Sequence, residues 1–329
     1  MDLLTKRQCS LFNFTKEHQS LLKKAKVAIV GCGGLGCSAA MYLSGAGIEH
    51  LELIDGDVVD YTNLHRQIAY TVDDVNKNKA KCLGERCIKT NKNSKYNYFD
   101  SMLCESNINQ LLNNVDIVLD CCDNVPARLL LNRWCKDNKK DLIYGSAVSY
   151  DGQLIVFNYS KGCNSCIYCA FPHIDKMKDT CDGLGVLGPV PGIIGSLQAI
   201  ECIKLITGIG EPLKGILHYS SLDTLFNYYD VEENCEWCDK IKQNLSLEIT
   251  YDEYLNNIDK YILYDIRKEE DFDEDDTIIY GSKRYSQNMV IKDNSVFICK
   301  AGIESLNLVK ELREKGIMCW SIKNGFRGI

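Results

Sequence analysis

The sequence lacks a surplus of positive charge: 45 Asp and Glu outnumber 38 Lys and Arg, giving a formal charge of −7 and a pI near 5.4. That balance argues against affinity built on nucleic-acid phosphates, and no direct nucleic-acid binding is expected. The N-terminus, MDLLTKRQCSLFNF, has no apolar core of signal-peptide type. No stretch approaches the ~20 apolar residues that span a bilayer. A soluble, cytoplasmic protein with no membrane partner is the expectation. Internal repeats are missing, and the one biased segment, Glu269 to Asp276 with seven acidic residues in eight, reads as a solvated loop. Proline is scarce, five in all, and absent from Leu213 to Ile329. At 45% hydrophobic and 25% charged residues the chain is also far from the composition of disorder.

Cysteine is abundant, with 18 in 329 residues. In a small secreted chain this would imply disulfides; in a mid-sized chain without a signal peptide, metal ligation and thiol chemistry are the better expectations. The length suggests two domains at roughly 150 residues each. The polar stretch Lys240 to Ser246 and the loss of proline place the boundary near Gln243, giving residues 1–243 and 244–329.

Lys26 to Val30 is an apolar run that enters Gly31-Cys32-Gly33-Gly34-Leu35-Gly36, and Cys37 to Ser44 reads as a helix. Gly31, Gly33 and Gly36 fit G-x-G-x-x-G between strand and helix, where bare amides and a helix N-terminus approach phosphate. His50 to Ile54 ends in Asp55, placed to accept hydrogen bonds from ribose hydroxyls, and Val115 to Leu119 ends in Asp120. Strands alternating with helices imply a parallel sheet. Gly152 to Phe157 reads as a further strand, Gly192 to Leu205 as a helix.

An NAD-dependent oxidoreductase would share the loop and the ribose carboxylate. The residues beyond Asp55 point elsewhere: Thr62-Asn63-Leu64-His65-Arg66-Gln67, then Lys79 and Asp123-Asn124. Attack of a carboxylate on an α-phosphate needs cations on the oxygens and a carboxylate-held Mg2+, and Arg66, Lys79 and Asp123 are groups of that kind. With these residues the chain resembles the ubiquitin-activating-enzyme-like superfamily, in its MoeB/ThiF branch, from Lys6 to Cys238. The resemblance implies a Rossmann-like doubly wound α/β adenylation domain that binds ATP and activates a small ubiquitin-like (β-grasp) sulfur-carrier protein. It implies ATP contacts from Gly34, Asp55, the Thr62 to Arg66 stretch with Gln67, Lys79 and Asp123-Asn124, with Asp123 helping to hold Mg2+. It further implies a homodimer in which Arg7, in Lys6-Arg7-Gln8, reaches the neighbouring subunit's phosphates. Asn76 departs from the glycine usual in the family, and Asn tolerates the left-handed conformation better than most residues.

Cys166-Ile167-Tyr168-Cys169 and Cys235-Glu236-Trp237-Cys238 are two C-x-x-C pairs, a spacing that presents four thiolates to one tetrahedral Zn2+ with no open position, hence a structural ion. Cys163-Asn164-Ser165-Cys166 has the same spacing, and the resemblance favours Cys166 and Cys169. Cys181 stands just before a Gly- and Pro-rich loop, and in relatives with a fused second domain the matching thiol links to the activated carrier.

Cys299 follows an apolar strand, Ser295 to Ile298, and opens a helix from Ser305 to Lys315, where amides can ring a thiolate or persulfide. Cys299 to Ser305, Tyr264-Asp265-Ile266-Arg267 and Asn324 to Gly328 resemble the motifs of rhodanese-like domains. The segment Glu269 to Ser286 departs from that pattern, which leaves a degenerate rhodanese open. The combination implies adenylation followed by sulfur transfer, serving molybdopterin synthesis, tRNA thiolation or both, with a sulfur donor such as a cysteine desulfurase. The alternatives are an activator with an inactive rhodanese domain and the oxidoreductase.

Overall fold

The computed structural model describes residues 3–163, 165–172, 174, 185–232, 247–267, 279, 281–286, 289–292, 294–300, 302–314, 317, 319–323 and 325–328. The chain divides into two compact units, Met1–Cys235 and Glu236–Ile329. The boundary expected near Gln243 lies outside the described residues.

In the first unit eight strands form one sheet: β1 Lys26–Val30, β2 His50–Ile54, β3 Lys95–Phe99, β4 Ile117–Asp120, β5 Asp141–Val148, β6 Asp151–Phe157, β7 Ile216–Ser220 and β8 Leu225–Tyr229. Their order is β3-β2-β1-β4-β5-β6-β7-β8. The first five run parallel, and β6, β7 and β8 are antiparallel to their neighbours. The sheet is therefore mixed. The strand expected at Gly152 to Phe157 returns directly on β5 with Val148 opposite Asp151, and Ser149 takes the positive φ (57°) that so tight a hairpin demands. β1 and β4 are near-continuous apolar runs because helices cover both faces of a parallel sheet. Strand order reverses about β1 and β4, and the crevice at their carboxyl ends is where ligands of doubly wound sheets bind.

The helices of this unit are α1 Lys16–Lys24, α2 Gly34–Gly45, α3 Lys79–Thr90, α4 Ile108–Leu112, α5 Val125–Asp137, α6 Ile167–Ala170 and α7 Pro189–Thr207. Neither α2 nor α7 has a polar face. Contrary to the expectation that no stretch approaches a bilayer span, α7 is long and apolar enough to cross a bilayer by length and composition, yet its Val190, Ile194, Ala199 and Cys202 are buried in the core of this unit, with α2 and the sheet as its main neighbours. Gly195 permits the close crossing, since a Cβ there would lie 2.2 Å from Leu35 O. α7 starts before the expected Gly192 because Pro189 and Pro191 fall in its first turn, where a missing N–H costs nothing. From its middle, the buried Gln198 amide donates to Asp120 O (2.8 Å) and Ile143 O (2.9 Å), joining the last residue of β4 to the interior of β5.

The second unit holds β9 Glu248–Ile249, α8 Tyr251–Leu255, β10 Ile262–Asp265, β11 Lys283–Arg284, β12 Ser295–Ile298, α9 Ile303–Glu314 and β13 Cys319–Ile322. Its five strands pair in parallel in the order β11-β10-β12-β13-β9. Alternation along β10 and β12 gives the sheet two apolar faces: Leu263, Val296 and Ile298 join Ile249, Tyr254 and Ile322, while Tyr264 and Phe297 join Val309, Leu312 and Cys319.

Replacing Gln198 with Leu removes two buried hydrogen bonds, each worth about 0.5–1.5 kcal/mol, and with them the tie between β4 and β5. The expected result is a loss of about 2 kcal/mol or more in urea unfolding, and a Tm lower by about 4–8 °C in calorimetry.

Candidate active site

The loop after β1 is held by backbone packing. Gly31 has φ +93°, and a Cβ there would sit 2.5 Å from Cys121 O; a Cβ on Gly36 would sit 2.1 Å from Gly31 O. The loop thus passes directly over the end of β4 and turns into α2, whose first amides, at Gly33 and Gly34, are the anion-binding feature expected from the glycine spacing. The Tyr70 hydroxyl braces it, 2.7 Å from Cys32 O and 3.1 Å from Lys79 O. Asp55 accepts from Cys32 N (2.7 Å) and Asp57 N (2.8 Å). Burial pushes the Asp55 carboxyl above its usual range, opposed by the Asp57 N–H and the Lys79 charge.

Beside the loop opens a cavity of about 260 Å³ at the carboxyl ends of β1, β4 and β5. It brings together Gly33, Gly34, His65, Arg66, Gln67 and Asp123 of the expected residues. Arg66 donates to Thr62 O (3.3 Å), lies 2.8 Å from His65 Nε2, and makes no ion pair among the described residues. Asp123 is exposed, and among the described residues its carboxylate accepts only from Asn124 Nδ2, at 3.4 Å. Asn124 itself caps α5 by accepting from Ala127 N (3.0 Å).

Other expected residues take supporting places outside the cavity lining. Thr62 and Asn63 close a capping box with Asp60, with Asp60 N donating to Asn63 Oδ1 (3.2 Å) and Thr62 N to Asp60 Oδ1 (2.7 Å). Leu64 packs on the core, so this turn aims the next three side chains inward. Lys79, the first residue of α3, pairs with Asp57 at 2.8 Å. Asn76 does adopt a positive φ, 67°. Arg7 is exposed, while its neighbour Gln8 donates to Ala46 O (3.1 Å) at the far end of α2. A helix of 12 residues is about 18 Å long, so Arg7 cannot serve the cavity of its own chain.

Arg128 was missed. It lies buried in the cavity wall, stacked on Tyr144 (4.5 Å), 3.6 Å from Asp120 Oδ2, and donates to Gly145 O (3.0 Å) and Cys122 O. Its sequence signal is position: one turn into α5, on the face that looks back at β4. Burial pushes the Asp120 carboxyl up, and Arg128 opposes the shift.

Of the four thiols expected to hold Zn2+, Cys166 and Cys169 have their sulfurs 3.9 Å apart, and Cys169 Sγ accepts from Cys166 N (3.3 Å). Zn–S bonds of about 2.3 Å in a tetrahedron put sulfurs about 3.8 Å apart, so this pair fits half of such a site. Cys163 lies instead against Ser165 Oγ at 3.1 Å. Cys181, Cys235 and Cys238 lie outside the described residues, among which no group of three or more metal-ligating side chains occurs.

In the second unit, Cys299 is buried where β12 gives way to α9. Its sulfur accepts from Gly302 N (3.1 Å) and Ser305 N (3.3 Å), with Ser305 Oγ at 3.2 Å. Phe326 N donates to Cys299 O (2.9 Å), and the Phe326 ring stacks on Arg267, which pairs with Asp265 at 2.8 Å in full burial. The cradle thus points three polar groups, two of them backbone amides, at one buried sulfur.

Curated relatives include the adenylyltransferase and sulfurtransferase MOCS3 of Drosophila sechellia, 40% identical over 237 residues, which are 70% of this chain and 52% of that protein. The chain thus spans about half the length of such relatives. The probable molybdopterin-synthase adenylyltransferase of Porphyra purpurea is 31% identical over 337 residues, covering 94% of this chain and 87% of that protein. Among solved structures, E. coli MccB with ATP matches with a TM-score of 0.59 at 25% identity, over 68% of this chain and 69% of that one. The model described as ThiF family matches residues 5–239, and with the loop, the cavity and these relatives in view the chain belongs to the ThiF family.

Proposed function

We propose that the chain uses ATP to adenylate the C-terminal glycine of a ubiquitin-like sulfur carrier and then passes sulfur to it. The observation that carries the first step is the convergence of the α2 amides, Arg66 and Asp123 on one cavity, with Arg66 and Asp123 free of ion pairs among the described residues. Phosphates would lie on the Gly33 and Gly34 amides, with the ribose toward Asp55. Arg66 would take up charge at the attacked α-phosphorus, and Lys79 would join it on exchanging Asp57 for phosphate. Asp123 would hold Mg2+, which shields phosphate charge when bound. The MccB structure with ATP and the names of the MOCS3 and Porphyra relatives support the nucleotide and the reaction class. An oxidoreductase has no use for this cation and carboxylate set.

The carrier carboxylate attacks the α-phosphorus and pyrophosphate leaves, giving acyl-AMP. Cys181 displaces AMP to form a thioester. A persulfide on Cys299, loaded by a donor such as a cysteine desulfurase, attacks that thioester through its outer sulfur and releases the Cys181 thiolate. That thiolate then attacks Cys299 Sγ, freeing the carrier thiocarboxylate and leaving a Cys181–Cys299 disulfide for a dithiol reductant to reopen. The three donors around Cys299 Sγ support its part. Cys166 and Cys169, with Cys235 and Cys238, would hold a structural Zn2+. Arg7 would act across a homodimer.

In carrier-dependent ATP–pyrophosphate exchange, Arg66→Ala and Asp123→Ala are each expected to lose about 10²–10³-fold in rate; wild-type rates in either variant would sink the adenylation step. MgATP, and not NAD, should raise the Tm. Cys299→Ala is expected to exchange normally and yield no thiocarboxylate by mass spectrometry, and undiminished product would remove Cys299 from the reaction.

A further inference from the structure

We propose that Gln67 is a specificity residue for the carboxyl substrate, its amide oxygen accepting the last peptide N–H before the reacting carboxylate. The inference rests on the adenylation reading and names the feature of the substrate that the cavity recognises.

Gln67 is 3% exposed and lines the cavity, and its Oε1 is buried with no hydrogen-bond partner among the described residues. Its backbone is fully used, with N donating to Asn63 O (3.0 Å) and O accepting from Tyr70 N (3.1 Å), so the turn fixes where the side chain points. A buried amide oxygen without a donor is costly, and in an otherwise well-paired wall it marks a position that a ligand completes.

Three kinds of donor exist on the reactants. The adenine amine is ruled out by reach. A Cβ built on Gly33 would be only 3.7 Å from Gln67 Nε2, so the side chain lies over the phosphate loop, and with phosphates on the loop amides the whole ribose and purine separate that amine from them. The ribose hydroxyls are matched by Asp55, which holds the Cys32 amide and does not line this cavity. The terminal N–H of a peptide is one Cα removed from its carboxylate, and it therefore lies beside the α-phosphorus whenever the carboxylate is placed for attack. The cavity's other wall suits such a ligand: Ser146 to Val148 and Gly185 to Val186 run as extended backbone, tied by Ser149 N to Gly185 O (2.9 Å) and Leu187 N to Ser149 O (2.8 Å).

The test compares two semisynthetic carriers in ATP–pyrophosphate exchange, one ending in glycine and one in glycolic acid joined through an ester, which turns the N–H into O. In the wild-type chain the ester is expected to lower kcat/KM about tenfold or more. Gln67→Met should bring the glycine carrier down to the ester's level and no longer tell them apart, and Gln67→Glu, which keeps an acceptor, should still discriminate. Equal rates for the two carriers in the wild-type chain overturn the assignment, whatever Gln67→Met does to folding. So does undiminished discrimination in Gln67→Met. Absence of exchange with the glycine carrier overturns the adenylation reading itself, and this inference with it.

Discussion

The first unit depends on one backbone contact, the passage of the Gly31 loop over the end of β4. Both a Cβ at Gly31, 2.5 Å from Cys121 O, and one at Gly36, 2.1 Å from Gly31 O, would push α2 away from the sheet. Because neither exists, the start of α2 stays beside the residues that leave β4 and β5. The cavity is the space that remains between them. Gln198 reinforces the arrangement by holding the end of β4 to the interior of β5, and Tyr70 does so by bracing the loop.

Charge is distributed around this frame in two ways. Arg128 with Asp120 and, in the second unit, Arg267 with Asp265 are buried pairs whose value lies in holding neighbouring backbone: the carbonyls of Cys122 and Gly145 in one case, the Phe326 turn in the other. Breaking such a pair leaves an uncompensated charge, which makes their geometry hard to shift. Arg66 and Asp123, by contrast, reach the cavity with no opposite charge paired to them among the described residues. Lys79 stands between the two cases, buried but paired with the half-exposed Asp57, from which a phosphate can displace it.

The cysteine content has a simpler cause than its abundance suggested. Most described cysteines are small apolar core residues: Cys32, Cys37, Cys87, Cys121 and Cys202 sit in or beside the β1–β4 layer, and burial pushes the Cys37 and Cys87 thiols up to about 12. A thiol buried in apolar surroundings is a packing group and a poor nucleophile. Cys299 is equally buried, but its sulfur meets three hydrogen-bond donors. Surroundings, and not residue type, separate it from the rest.

Strand, glycine turn and helix were legible in the sequence because their geometry is local: the apolar run of β1, the spacing of Gly31, Gly33 and Gly36, and the strand-to-Cys299-to-helix order all lie within a few residues. Edge strand β3 was not, since a strand with one unpaired side and little buried surface loses its alternation, and in β5 the interior Gly145 hid the run. Arg66, Lys79 and Asp123 were legible as charges downstream of the loop, and Thr62 and Gln67 through the family resemblance alone; Thr62 and Lys79 support the cavity and do not line it. Only tertiary structure could divide them. Whether a polar side chain is spent on its neighbours or left for a ligand depends on residues far away in sequence, as Lys79 depends on Asp57 and Arg128 on Asp120, Gly145 and Tyr144. Hydrogen bonds are short and directional, so that decision exists only once packing has brought the partners within reach.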